Sequence, residues 1–251
     1  MPKRKREKWP SIEDMHEIGR LLDARRYDQL VEMMTGVLKT HPRCWQALIR
    51  RARAHQALGN EHARRADYLR VIELTSVHVA KAFDDEALSA RAESYFVTGN
   101  LAAARVDQIQ ILASITARIE AEPDSWYHWY DRARIHEDLG NDEAAHDDFS
   151  AVLALKPDIY RPVVARAEVR IALGRFAEAL KDANRAKALN WWEPNAGFDL
   201  IRAECYLQLG DIDATRQCLA NLPGPLSPED AVTRDRQLAE CDEIERGRQK
   251  S

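Results

Sequence analysis

Arg51, Arg91, Arg132, Arg166 and Arg202 each stand directly before an alanine, at intervals of 40, 41, 34 and 36 residues. Identical cations on such a beat could form a track for phosphate groups, since each guanidinium offers a planar fork of donors to an anion. A second basic feature opens the chain. Lys3, Arg4, Lys5, Arg6 and Lys8, with a single Glu, give residues 1–10 a local charge of +4, whereas the whole chain carries −4, leaving −8 for the remainder. This cluster reads as a disordered arm that either touches nucleic acid, an acidic membrane surface or an acidic partner, or serves only to solubilise.

Enzymatic signals are poor. No HExxH, G-x-S-x-G, P-loop or GxGxxG pattern occurs, and His146-Asp147-Asp148 reads as the solvated face of a helix rather than a metal site. No catalytic residue, metal or cofactor is expected. Cys44, Cys205, Cys218 and Cys241 have no metal-ligand spacing, and the first residues contain no apolar signal-like run. Reduced, structural thiols and a cytoplasmic protein are the expectation. Uncharged runs are far shorter than a membrane span.

The elements that would position these groups follow from a second beat. Gly59, Gly99, Gly140, Gly174 and Gly210 repeat at the same intervals, each seven residues after a small alanine: Ala52, Ala92, Ala133, Ala167 and Ala203. Apolar residues recur at helical spacing before and after each glycine, as a helix–turn–helix pair requires. Around Gly140, Trp129, Ala133 and His136 share one face and Ala145, Phe149 and Val152 another, until Pro157 ends the second helix. A period of this size means an all-α solenoid, because no unit buries its apolar face alone.

The pattern resembles the tetratricopeptide repeat (TPR): bulky, small, aromatic, Gly, then Ala, aromatic, Ala and Pro. Residues 126–159 match it best through Trp129, Ala133, Gly140, Ala145, Phe149 and Pro157, and 160–193 through Ala167, Gly174, Phe176, Ala179 and Ala186. A degenerate unit without its glycine precedes them, with Leu21, Tyr27, Leu30, Met34 and Val37. The resemblance implies a right-handed α-solenoid of about six helix pairs, 11–44, 45–78, 85–122, 126–159, 160–193 and 196–222, within an array spanning 11–222. A C-terminal capping helix at 228–248 would follow, capped by Ser227 and striped by Val232, Leu238, Cys241 and Ile244. Spacings of 40 and 41 exceed the usual repeat; the loop Thr75–Asp84 and a long helix from Leu101 to about Glu120 would absorb the surplus, and that helix is a second candidate contact.

In TPR proteins the first helices of successive units line a concave groove for an extended peptide or partner helix. By resemblance, the positions six before each glycine face it here (Arg53, Glu93, Arg134, Glu168, Glu204), as do those ten before (Ile49, Ser89, Tyr130, Val164, Leu200). Tyr127 and Arg161 join them, and Glu93, Tyr127, Tyr130, Arg134 and Arg161 are the expected contact centre, Tyr and Arg being common hot-spot residues. The competing expectation is that the opposite charges simply pair between neighbouring units. Trp129 should pack inside its unit while Trp126 and Tyr130 point elsewhere, and Trp191-Trp192 should fill a joint between units. Lys and Asn are absent from the expected first helices, so the clamp by which some family members grip a C-terminal carboxylate is not implied. Arg before the small alanine is also common in the family, where its stem supports the joint between helices. The resemblance therefore implies a non-catalytic protein–protein interaction scaffold. The alternative is a nucleic-acid- or ribosome-associated factor using the basic arm and the arginine ladder.

Overall fold

The computed structural model describes residues 11–81, 83–190 and 195–248; the expected basic arm and Trp191-Trp192 lie outside the described residues. Thirteen α-helices and no strand occur among the described residues. Internal contacts divide the chain into two compact units, residues 1–111 and 112–251.

The first unit holds α1 (Ile12–Asp23), α2 (Tyr27–Thr40), α3 (Trp45–Ala57), α4 (Glu61–Val79), α5 (Asp85–Thr98) and the start of α6 (Leu101–Ala121). Ser11 and Asp14 form a reciprocal capping box that starts α1, and Asn60 and Asp84 cap α4 and α5 with side-chain oxygens. Helices α1 to α4 each pack on the next. Ile18, Leu21, Leu30, Met34 and Ala47 form one core cluster, and Leu48, Val71, Leu74 and Ala90 another. The first pair lacks the glycine and turns instead through Arg25, at φ 53. The first half of the segment expected as a loop is helical: Thr75–Val79 completes α4. Thr75 returns its hydroxyl to the Val71 carbonyl at 2.7 Å, and His78 is held by Asp84 at 2.8 Å and by the Trp45 ring at 5.0 Å.

The second unit holds the rest of α6, then α7 (Trp126–Asp138), α8 (Asp142–Leu155), α9 (Tyr160–Ala172), α10 (Phe176–Leu189), α11 (Ala196–Gln208), α12 (Ile212–Ala220) and α13 (Pro228–Arg248). From α7 to α12 each helix packs on the next, and α13 covers α11 and α12. Each turn uses its glycine for a backbone that side chains disfavour. At Gly140 (φ +72) the glycine N–H donates to the Glu137 carbonyl at 2.9 Å and that of Asn141 to His136 at 2.8 Å, closing the last turn of α7. All five alanines seven before the glycines are buried. Where a larger residue would hold two helices apart, they admit Phe149, which is fully buried among Ala133, Ala145, Ala165 and Val169.

Helix α13 differs in one respect from its expected stripe. Cys241 and Ile244 pack inward with Leu207 and Ile212, and Leu238 with Leu200 and Leu219, but Val232 is 70% exposed. Buried Gln237 takes the inward place instead, donating to the Leu200 carbonyl at 3.1 Å and to Glu204 at 3.0 Å. No described helix is long and apolar enough to cross a membrane.

Candidate functional site

The arginine ladder is internal. Each of the first four arginines meets, through a two-pronged ion pair, an aspartate sixteen residues downstream on the second helix of its own pair. Arg51 reaches Asp67 at 2.9 and 2.6 Å, Arg91 reaches Asp107 at 2.8 and 2.7 Å, Arg132 reaches Asp148 at 2.8 and 2.7 Å, and Arg166 reaches Asp182 at 2.8 and 2.9 Å. The remaining nitrogen of the fork turns back to a hydroxyl on the preceding helix: Thr35, Ser76, Thr116 and Ser150, at 3.0, 3.4, 3.3 and 3.2 Å. Thus every fork staples three consecutive helices, and the four aspartates are buried. Hydrogen bonding to the aspartate raises the pKa of Arg51, Arg91 and Arg132 further. An anion track is therefore not what these side chains make, because their donors are already engaged inside the array. Asp148, expected on a solvated face, is instead one of the buried four.

In the fifth pair the aspartate place is Cys218. Arg202 turns instead to Asp199 on its own helix at 2.6 Å, and Lys187 of α10 joins the same carboxylate at 2.8 Å. The joint is kept with reversed polarity.

Of the expected contact residues, Glu93 lies in the first unit. There Arg53 holds it in a two-pronged pair at 3.0 and 2.8 Å, and the Tyr68 hydroxyl donates to it at 2.8 Å. Burial, then the Glu93 charge, pushes Tyr68 up to about 12. This is the pairing between neighbouring units that competes with ligand binding.

The other four lie in the second unit, and three of them, Tyr130, Arg134 and Arg161, line one cleft of about 400 Å³ between α7, α9 and α11. Val164 and Glu168, at the expected register of α9, line it too. Tyr127 does not. It is 61% exposed and stacked on Trp126, with ring centroids 3.7 Å apart. Sequence reasoning gave no role to Tyr160, which enters the wall from the first turn of α9 and meets the buried Phe198 edge-on at 6.1 Å. Asn195, one residue before α11, also lines the cleft and caps that helix by accepting the Gly197 N–H at 2.8 Å. On α11 the register shifts by one: Leu200 is buried in the core, and Ile201 faces the cleft.

Tyr130 has a second duty that the sequence assigned to its neighbour. Its ring meets Phe149 edge-on at 5.9 Å and packs against that core cluster. Trp129 lies toward the ladder, its indole donating to the Pro123 carbonyl at 2.8 Å and the Arg132 guanidinium 5.0 Å from its ring. The cleft's aromatic wall is therefore anchored in the core, a pre-organised surface rather than a collapsible one.

Arg134, Arg161 and Glu168 give the cleft mixed charge, with the acidic Glu137 and Asp138 next to it on α7. Arg134 is paired with Glu137 at 2.6 Å. Burial raises the pKa of Glu137, of Asp138 and of Glu168, and for Glu168 the neighbouring Glu137 charge adds to the effect against the pull of Arg134. The wider unit is acidic. Residues 11–111 carry 14 Lys and Arg against 14 Asp and Glu, whereas 112–251 carry 18 against 26.

The tetratricopeptide repeat family model matches residues 164–217, the stretch that contributes two of the three cleft helices. No functionally curated protein matches the sequence. Among solved structures, a tetratricopeptide repeat protein from Parabacteroides merdae aligns over 90% of this chain and 85% of its own, at 16% identity and a TM-score of 0.56. PilW, a type IV pilus biogenesis factor, aligns over 86% and 94% at 15% identity and 0.58. A thermophilic tetratricopeptide repeat protein from Thermus thermophilus aligns over 78% and 98% at 19% identity and 0.53. These likenesses show the fold.

Proposed function

We propose that this all-α tetratricopeptide repeat chain is a non-catalytic scaffold that holds a segment of a partner protein in the cleft between α7, α9 and α11. The observation carrying the reading is the convergence of Tyr130, Arg134 and Arg161 on one cleft, with Tyr160, Val164 and Ile201 as apolar wall. Aromatic and aliphatic surface would supply affinity through burial, and the charged rim would set register and orientation. The compartment proposed is the cytoplasm, where the four free cysteines, three of them buried, would stay reduced. The alternative, a nucleic-acid contact, rests on the arm at Lys3–Lys8 alone, since nothing in the ladder adds to it.

The test begins with affinity purification from the native cell to identify the partner, followed by binding of the purified pair. Ile201→Trp fills the cleft from α11, and Val164→Trp fills it from α9. Each is expected to weaken binding at least about 10-fold, a change of about 1.4 kcal/mol, with helicity unchanged. Val106→Asp and Ile109→Asp, on the exposed face of α6, should leave binding unaltered. The reverse result, binding lost only on α6, would move the interface out of the cleft.

A further inference from the structure

The five residues six before each glycine occupy one register, and four of them have an ionic partner. Arg53 pairs with Glu93, Arg134 with Glu137, and Glu204 with Arg236 at 2.9 Å. Glu168 alone in this set accepts no hydrogen bond and forms no ion pair among the described residues, although it lines the cleft. Glu168 is solvent-exposed, so its carboxylate stands hydrated at the cleft and can take a cation that a ligand brings without first breaking an internal ion pair.

Resting on the cleft reading above, we infer that the occupant is a basic segment of a partner protein. Its lysine or arginine passes between Tyr130 and Tyr160 and is neutralised by Glu168. Such a side chain suits both parts of the site, its aliphatic stem against the rings and its charged head against the carboxylate. Partial burial and Glu137 already disfavour the Glu168 charge, so beside this carboxylate an entering cation is favoured and an entering carboxylate opposed, while Arg161 holds the opposite preference at its own place on the lining. Arg134 does little to offset the preference at Glu168, since Glu137 holds it. The excess of acidic residues in 112–251 extends the same preference to longer range and would steer a basic segment toward the unit.

The test uses the full chain, immobilised, and three short-peptide libraries that are otherwise uncharged and differ only in a fixed central Arg, citrulline or Glu. Retained peptides are counted by mass spectrometry. The Arg library is expected to be retained about 10-fold over the citrulline library at low salt, with the preference shrinking as salt rises. Glu168→Gln should erase that preference, and Glu168→Lys should turn it toward the Glu library. Equal retention of the three libraries, retention of none, or an Arg preference undiminished in Glu168→Gln overturns the inference. The two readings separate through Ile201→Trp. If that variant loses the native partner while the libraries show no basic preference, the cleft stands and its basic occupant falls. If the variant keeps the native partner, the cleft reading falls as well.

Discussion

Asp148→Ala is expected to lower the unfolding free energy of the α7–α8 region by up to about 3 kcal/mol, the cost of leaving a largely buried guanidinium without its partner. Arg132 would keep only the 3.3 Å contact to Thr116 and its place near the Trp129 ring, neither of which compensates a full charge. The double replacement Arg132→Met with Asp148→Leu should cost much less, because it removes both charges together and returns apolar volume. A repeat array opens locally, so the measurement is native-state hydrogen exchange of the α7 and α8 amides, not one global midpoint. Equal protection in Asp148→Ala and the parent would show that the clamp contributes nothing. The graver case is Asp182→Ala. Asp182 accepts from Arg170 at 2.6 Å as well as from Arg166, so two partly buried cations would lose their shared carboxylate, Arg170 keeping only its 3.4 Å pair with Glu178.

The clamp also marks how far the sequence could be read. Its arginines stood out because they fall on the repeat beat, and the aspartates sixteen residues on follow the same beat. Yet residues sixteen apart meet only if the two helices of a pair are packed in a particular register. That register is set by Gly turns and small alanines acting together, not by the periodicity of either helix. Helix existence and the buried alanines were legible because they depend on local spacing. The assignments to Trp129 and Tyr130 exchanged for a related reason. In Trp126-Tyr127-His128-Trp129-Tyr130 several aromatic faces compete, and only tertiary packing against Phe149 selects Tyr130. In the cleft, α7 and α9 followed the expected register, but α11 slipped by one residue, where Leu200 is claimed by the core beneath α13. That Glu168 forms no ion pair among the described residues was not legible at all, since it depends on Arg134 having chosen Glu137.

Two substitutions a few residues from one another in space should act in opposite senses. Phe149→Ala removes a fully buried ring and is expected to cost about 3–5 kcal/mol of local stability. It also takes away the edge against which Tyr130 is set, so partner binding should weaken although Phe149 does not line the cleft. Glu168→Gln should weaken binding too, but with stability rising at neutral pH by a few tenths of a kcal/mol, the small size reflecting its solvent exposure. The sign follows from linkage. The folded-state pKa of Glu168 is raised, chiefly by burial, so its ionised form costs stability above the unfolded value of about 4.3, and that cost disappears as pH falls and the carboxyl is protonated. Hence the advantage of Glu168→Gln over the parent should vanish in acid, whereas the deficit of Phe149→Ala should persist across the range. Hydrogen exchange of α9 at neutral and acid pH reads both. A Glu168→Gln variant less stable than the parent at neutral pH would mean that Glu168 is an ordinary structural carboxylate. A more stable one that binds less well would show a residue kept for its ligand at the expense of the fold.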